Sequence, residues 1–312
     1  MAATGRQETQ STPGEVRSRA VTENASGQFV TQISRGNADE RSIPEAHPAT
    51  AADLTPLAFA GYAHFTAMQV RDGGIRGLDL HLARLRQASL QMFGQALPDA
   101  HIKHALRAAL RAGPAEMSLV ATVYSPEGEF TVAGAEAVPG LLIRTGPAWT
   151  GLAGGNGRTE AAESLSLATF EHERVLPELK HVGEVAKTWF LRQAAARGFD
   201  DAAFKDRAGR LSEASIWNLA FWDGESVVWP VAAMLGGTTM GILRRQLTPL
   251  GVPQREQEIT VDDLPGMRGA VVMNSWTPGV AVHRIDEVSI PVDPHFVTLL
   301  TQAYAREPIV MP

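Results

Sequence analysis

The chain has 312 residues, 44% of them hydrophobic, and a formal net charge of −6. That is enough for one large or two medium domains with real cores. The mild acidity, with no basic run interleaved with aromatics, argues against nucleic acid as the main partner. The absence of cysteine excludes disulfides, thiolate nucleophiles and cysteine metal sites. No apolar run approaches the roughly 20 residues of a membrane span, and the chain does not open on a charged-then-apolar signal pattern. The expectation is a soluble, cytoplasmic protein.

Residues 1–50 are rich in Thr, Ser, Gln, Glu, Gly, Asn and Arg. They carry too little apolar surface to offset ordering entropy, so a disordered tail is expected. Tyr62 to Val70 reads as a strand, followed by the hairpin turn Asp72-Gly73. Leu78 to Leu90 repeats its apolar residues at helical spacing, and Asp99 to Ala112 reads as a second helix with Asp99 as N-cap. Met117–Tyr124 and Leu141–Arg144 read as strands. Residues 51–145 therefore form a small α+β domain, and the glycine-rich stretch 146–159 a linker.

The second domain, 160–312, opens with a strand-like run ending at Arg174-Val-Leu-Pro-Glu-Leu. Gly183 to Arg197 follows as a helix closed by Gly198. Strands are expected at Asp200–Phe204, Leu219–Trp222, Ser226–Pro230, Gly269–Met273 and Val280–Ile285. Helices are expected after the glycines at 236–241 and from His295 to Arg306. Many short strands with about three helices point to a barrel-like α/β domain.

Lysine is scarce. Of 28 basic residues only Lys103, Lys180, Lys187 and Lys205 are lysines, and lysine, unlike arginine, reacts with carbonyls. Lys103, Lys187 and Lys205 read as solvated surface residues. Lys180 lies just after Pro177, at a strand-to-helix junction, where an amine can be desolvated and made nucleophilic. Glu213, 33 residues on, can hold a pyridine nitrogen, or be a surface carboxylate near a turn. Asn218 can orient it, or be a strand-edge asparagine. The glycines at 236–241 can open a phosphate cradle at a helix start, and Arg84 can grip an anion with parallel N–H bonds. Neither a histidine metal cluster, nor a Ser/His/Asp arrangement, nor a dinucleotide fingerprint is evident.

In order along residues 55–305, these pieces resemble the class IV aminotransferases, the fold-type IV pyridoxal-phosphate enzymes. Phe65-Thr-Ala-Met-Gln-Val is similar to the family's first strand, and His81-Leu-Ala-Arg84-Leu to its phosphate-gripping helix. Lys180 stands at the position of the cofactor lysine. Ser212-Glu213-Ala-Ser-Ile-Trp-Asn218 is similar to the Thr/Ser-Glu-Gly-x-x-x-Asn signature, and Gly241-Ile242-Leu243-Arg244 to the Gly-Ile-Thr-Arg helix start. Asn274-Ser275-Trp276 lies where many members carry Thr-Gly-Thr-Ala.

The resemblance implies a two-domain fold-type IV architecture. It implies pyridoxal 5′-phosphate bound by Lys180, Arg84, Glu213, Asn218, Gly241, Ile242, Leu243, Ser275 and Trp276, with Lys180 catalytic. It implies a homodimer acting on an amino donor and an oxo-acid acceptor. Departures are Glu184-Val185 in place of Asn-Tyr, Leu243 in place of threonine, Ala214 in place of glycine, and no Arg-Gly near Tyr124. Phe65-Thr66, Lys180-His181, and Asn274 followed by Pro278 look more like 4-amino-4-deoxychorismate lyase, which is the alternative to transaminase. A non-catalytic binder that kept the fold is a third reading.

Overall fold

A computed structural model describes residues 29–32, 47–58, 61–128, 130, 138–149 and 164–312. In chain order, strands β1 (Phe29–Gln32) and β2 (His47–Pro48) precede the one-turn helix α1 (Ala51–Leu54). The hairpin β3 (Ala63–Arg71) and β4 (Gly74–Arg76) turns through Asp72 and Gly73, both with positive φ. Helices α2 (Leu78–Phe93) and α3 (Asp99–Ala112) and strands β5 (Met117–Tyr124) and β6 (Gly140–Pro147) complete the first half.

The second half has β7 (Ser164–Glu171), α4 (Val185–Ala196), β8 (Asp201–Lys205), β9 (Leu211–Ala214), β10 (Asn218–Trp222) and β11 (Val227–Pro230). These are followed by α5 (Thr238–Leu247), β12 (Gln254–Gln257), β13 (Gly269–Asn274), β14 (Thr277–Ile285), β15 (Val288–Ser289), α6 (Pro294–Ala305) and β16 (Ile309–Val310).

The first sheet runs in the order β16-β4-β3-β5-β6-β1-β2. Its strands alternate. Met68, Val70, Leu119, Ala121, Leu141 and Ile143 point into a core shared with α2 and α3, as period-two patterning demands when one face is covered by helices. The intervening Phe65, Ala67 and Gln69 therefore belong to the opposite face of β3.

The second sheet runs β12-β11-β10-β13-β14-β7-β8-β9, and β9 pairs back to β10. Six strands thus close on themselves, a ring filled by Leu165, Leu167, Leu219, Phe221, Val272 and Val282. The pairing that closes it is Asn218 against Glu213. Outside the ring, α5 and α6 pack through Met240, Leu243, Phe296 and Leu300, and α4 packs through Phe190 and Ala194. The architecture is the α+β fold with a barrel-like second sheet that the sequence implied.

Several local expectations change. Within the segment read as a disordered tail, Phe29–Gln32 pairs with β6 and with His47–Pro48, because a neighbouring strand offers those backbone groups partners; residues 1–28 and 33–46 lie outside the described residues. The strand entering the second sheet ends at Glu171, short of Arg174, whose guanidinium is needed elsewhere. Asp99 is the first helical residue, not the cap, and binds Arg86 at 2.5 Å. The linker was placed at 146–159. Of it, 146–149 are described, with Gly146 and Pro147 finishing β6, and residues 150–163 lie outside the described residues.

Candidate active site

Lys180 sits in the loop between β7 and α4, and one buried side chain shapes that loop. Arg174 donates from Nε to Glu184 (2.7 Å), from Nη1 to the Pro177 carbonyl (2.8 Å) and from Nη2 to the Leu179 carbonyl (2.6 Å). The turn passes through Leu176 at φ +52°, a left-handed conformation that costs a leucine roughly 1–3 kcal/mol and needs such fixing. Glu184, the departure noted in the sequence, also lies 3.1 Å from His181. The loop is bonded to the edge of β3, where the Phe65 N–H donates to the Lys180 carbonyl (2.8 Å) and the Val182 N–H to Ala63.

That bonding places the Lys180 Nζ over the Phe65 ring, 4.9 Å from its centre. Among the described residues no carboxylate forms an ion pair with Lys180. Burial, and then the charges of Arg84 and Lys187, push its amine down to about 7, against an opposing pull from Glu213.

Glu213 faces the same cavity from β9. It is 3% exposed. Its Oε1 lies 3.2 Å from the Lys187 Nζ and 3.4 Å from Arg174 Nη1, yet is buried without a hydrogen bond of good geometry. Lys187, read from sequence as solvated, is therefore a cavity residue, its side chain 14% exposed. Asn218, opposite Glu213 in the barrel seam, donates from Nδ2 to the Leu235 carbonyl (2.7 Å). Its Oδ1 fills the space above Gly237, where an added Cβ would lie 1.9 Å from it. Glycine at 237 is thus required by Asn218.

Gly237 caps α5, and the first bond inside the helix runs from the Gly241 N–H to the Gly237 carbonyl (2.9 Å). The N–H groups of Thr238, Thr239 and Met240 precede it, and they are the ones a helix start leaves for an anion. This corrects the expected cradle at Gly241, Ile242 and Leu243. Gly241 spends its N–H in the helix, and Ile242 and Leu243 are buried one turn further on. Thr238 and Thr239 both line the cavity. Thr239 Oγ1 donates to the Asn274 carbonyl (2.8 Å), and the Thr238 and Ser275 hydroxyls are 3.4 Å apart. Ser275 lines the same cavity. Trp276 does not: its indole stacks on Trp149 at 5.3 Å and lines neither cavity described here.

Two cavities meet at Arg84, Gly237 and Thr238. The larger, about 680 Å³, opens between α2 and α5. The smaller holds Lys180, Lys187, Glu213 and Asn218. Arg84 donates to the Gly236 carbonyl (2.7 Å), and burial draws its guanidinium down to about 10. His81, one turn earlier on α2, is fixed by Thr66 at 2.6 Å and kept neutral by burial, its pKa drawn down to about 3. The arrangement offers an amine that is partly neutral near pH 7, a carboxylate across from it, and N–H and hydroxyl donors with Arg84 beside them for an anion.

The sequence profile of the class IV amino-transferases matches residues 63–285, and the chain belongs to that family. A search of curated proteins finds no match. Among solved structures, the branched-chain aminotransferase of the thermophilic archaeon Thermoproteus uzoniensis, crystallised with norvaline, is similar with a TM-score of 0.73 at 17% identity, covering 90% of this chain and 94% of that one. A fold IV-transaminase from Curtobacterium pusillum gives 0.72 at 20% identity, covering 90% and 100%. A protein assigned as a 4-amino-4-deoxychorismate lyase from Legionella pneumophila gives 0.68 at 19% identity, covering 78% and 92%. At these identities the likeness concerns the fold.

Proposed function

We propose that this class IV aminotransferase moves an amino group between an amino acid or amine and a 2-oxo acid, using pyridoxal 5′-phosphate. The observation that carries the reading is the placement of the Lys180 amine, over the Phe65 ring at 4.9 Å, in one cavity with Glu213, and without a carboxylate of its own among the described residues; burial draws it down to about 7. The cofactor fits the donor set. Lys180 would hold it covalently, Glu213, whose buried Oε1 lacks a good hydrogen bond, would face its ring nitrogen, and the free N–H groups of Thr238 and Thr239, with the Ser275 hydroxyl and Arg84, would take its phosphate.

Bound there, pyridoxal phosphate supplies a sink for the electron pair left when a proton leaves the carbon beside the amine. The Lys180 amine, with its proton affinity reduced, is suited to take that proton and return it. Phe65 and the Arg174-braced loop hold the amine in place between those two events. Asn218 keeps the start of α5 in position by packing on Gly237.

The same reading includes a two-domain division across 146–159 and a cytoplasmic homodimer. Trp189 and Val185, 60% and 83% exposed on the outer face of α4, support an apolar contact with a second copy. The test is product formation: with an amino donor and a 2-oxo acid supplied together, the donor's own oxo acid and the acceptor's amino acid should appear in equal amounts.

The competing reading is 4-amino-4-deoxychorismate lyase. It is favoured by His181, which follows Lys180 directly and is held by the Val175 carbonyl at 2.9 Å. Pyruvate released from aminodeoxychorismate with no acceptor present, and no exchange of amino groups, would replace the transaminase reading.

A further inference from the structure

Lys187 enters the cavity from the first turns of α4. Its ammonium lies 3.2 Å from Glu213 Oε1, and among the described residues it makes no other ion pair. Arg174 is nearly as close, at 3.4 Å, but its guanidinium is already bonded to Glu184, Pro177 and Leu179. Lys187 is therefore the cation committed to Glu213. This is a costly place for a lysine, since burial disfavours its charge and Glu213 offsets that only in part. A surface role does not account for it.

We propose that Lys187 is a positioning residue for the cofactor ring: paired with Glu213, it fixes the carboxylate and draws off part of its charge, so that a ring nitrogen resting on Glu213 keeps its proton less tightly than it would on a free carboxylate. This rests on the reading of Glu213 as the ring partner. The other charged or titratable groups around Glu213 are Arg174 and Lys180 from the loop, Arg84 from α2 and His172 just past β7. Glu184 is occupied by Arg174 and His181. Removing Lys187 leaves Glu213 with Arg174 alone at ion-pair distance. The same charge bears on Lys180, whose protonation Lys187 opposes.

The experiment loads the wild type, Lys187→Met and Lys187→Arg with pyridoxal phosphate labelled with ¹⁵N in its ring, and reads the nitrogen's chemical shift. The wild-type signal should lie between the neutral-ring and protonated-ring values. Lys187→Met should move it towards the protonated value, and Lys187→Arg should leave it near the wild type. A melting curve checks that each variant is folded; a purely structural role would lower the melting temperature without moving the signal.

The cofactor-free proteins give a second readout. With only four lysines, ¹³C-methylated amines can be assigned and titrated one by one. Lys180 should titrate near pH 7 in the wild type and at a higher pH in Lys187→Met. A bound cofactor whose signal ignores Lys187→Met, or a Lys180 midpoint that does not move, overturns this role alone. Failure of all three proteins to take up pyridoxal phosphate overturns the functional reading, and this role with it.

Discussion

The two walls of the small cavity are held by different forces. On the Lys180 side the fastenings are charged: Arg174 with Glu184, and Lys187 with Glu213. On the α5 side they are mostly neutral, namely Thr239 to the Asn274 carbonyl, Asn218 to the Leu235 carbonyl, and Thr238 beside Ser275, with Arg84 on the Gly236 carbonyl as the charged exception. The contrast suits the role proposed for each wall. Lys180 is drawn towards its neutral form first by burial and then by the nearby cations Arg84 and Lys187. In the proposed reading a phosphate brings its own charge, and aligned N–H and hydroxyl groups, with Arg84 beside them, would receive it.

The charged wall can be broken first. Glu213→Gln keeps the shape and removes the charge. It should cut turnover on the order of 10²–10³-fold, the scale of losing one electrostatic contact to a reacting centre, with cofactor still bound. Steady-state rates and a cofactor absorbance spectrum separate the two effects. Arg174→Met removes a buried guanidinium, leaves Glu184 with His181 alone and strands two carbonyls. A loss of about 3–5 kcal/mol in stability is expected, read by urea unfolding. A loss under about 1 kcal/mol would mean that Arg174 does not brace the loop.

The neutral wall is probed by two glycines. Gly237→Ala drives a Cβ into Asn218, an overpacking that costs roughly 1–3 kcal/mol and displaces the start of α5. Gly241→Ala meets only the flexible end of Leu80, at 3.1 Å. Pyridoxal phosphate affinity should fall at least tenfold in the first and stay within a few-fold of wild type in the second. The reverse order would return the cradle to Gly241. Thr239→Val removes one neutral hydrogen bond, worth about 1 kcal/mol, and should weaken phosphate binding by roughly fivefold in a cofactor titration.

The smallest effect is in pH. Lys180 has its amine drawn down to about 7, so its neutral, reactive fraction grows as pH rises through 7 and is complete above it. Uptake of pyridoxal phosphate by the cofactor-free protein should therefore accelerate from pH 6 to 8 and then level off. A rise that continues to pH 10 would mark an ordinary, solvated lysine.

Much of this was legible in the sequence, and what was missed has physical causes. Asp99–Ala112 is a helix at the predicted bounds because its apolar face is regular. Lys180 stood out because lysines are few and it follows Pro177. The free N–H groups of the helix start were placed three residues late because the segment 236–241 holds three glycines and nothing local states which of them ends the extended chain. The two threonines after Gly237 were the available signal.

Lys187 was misread because α4 has an inverted surface. Val185 and Trp189 are exposed, while Lys187 shares an inward stripe, at spacings of three and seven, with Phe190 and Ala194. Apolar patterning alone points the helix the wrong way. Strand β9 was missed because Ser212 and Glu213 are polar, although all four of its residues are buried; its wall position exists only once the barrel closes. Arg174 went unnoticed because its three hydrogen bonds go to two carbonyls and a carboxylate within ten residues, a local staple with no sequence signature.

The central claim is that Lys180 is the cofactor lysine. Borohydride added to the protein loaded with pyridoxal phosphate, followed by proteolysis and mass spectrometry, tests it most directly. The account predicts a single phosphopyridoxyl group on Lys180, and none on that site after Lys180→Ala. A label on Lys187, Lys103 or Lys205 with Lys180 unmodified, or no label on any of the four, would contradict it.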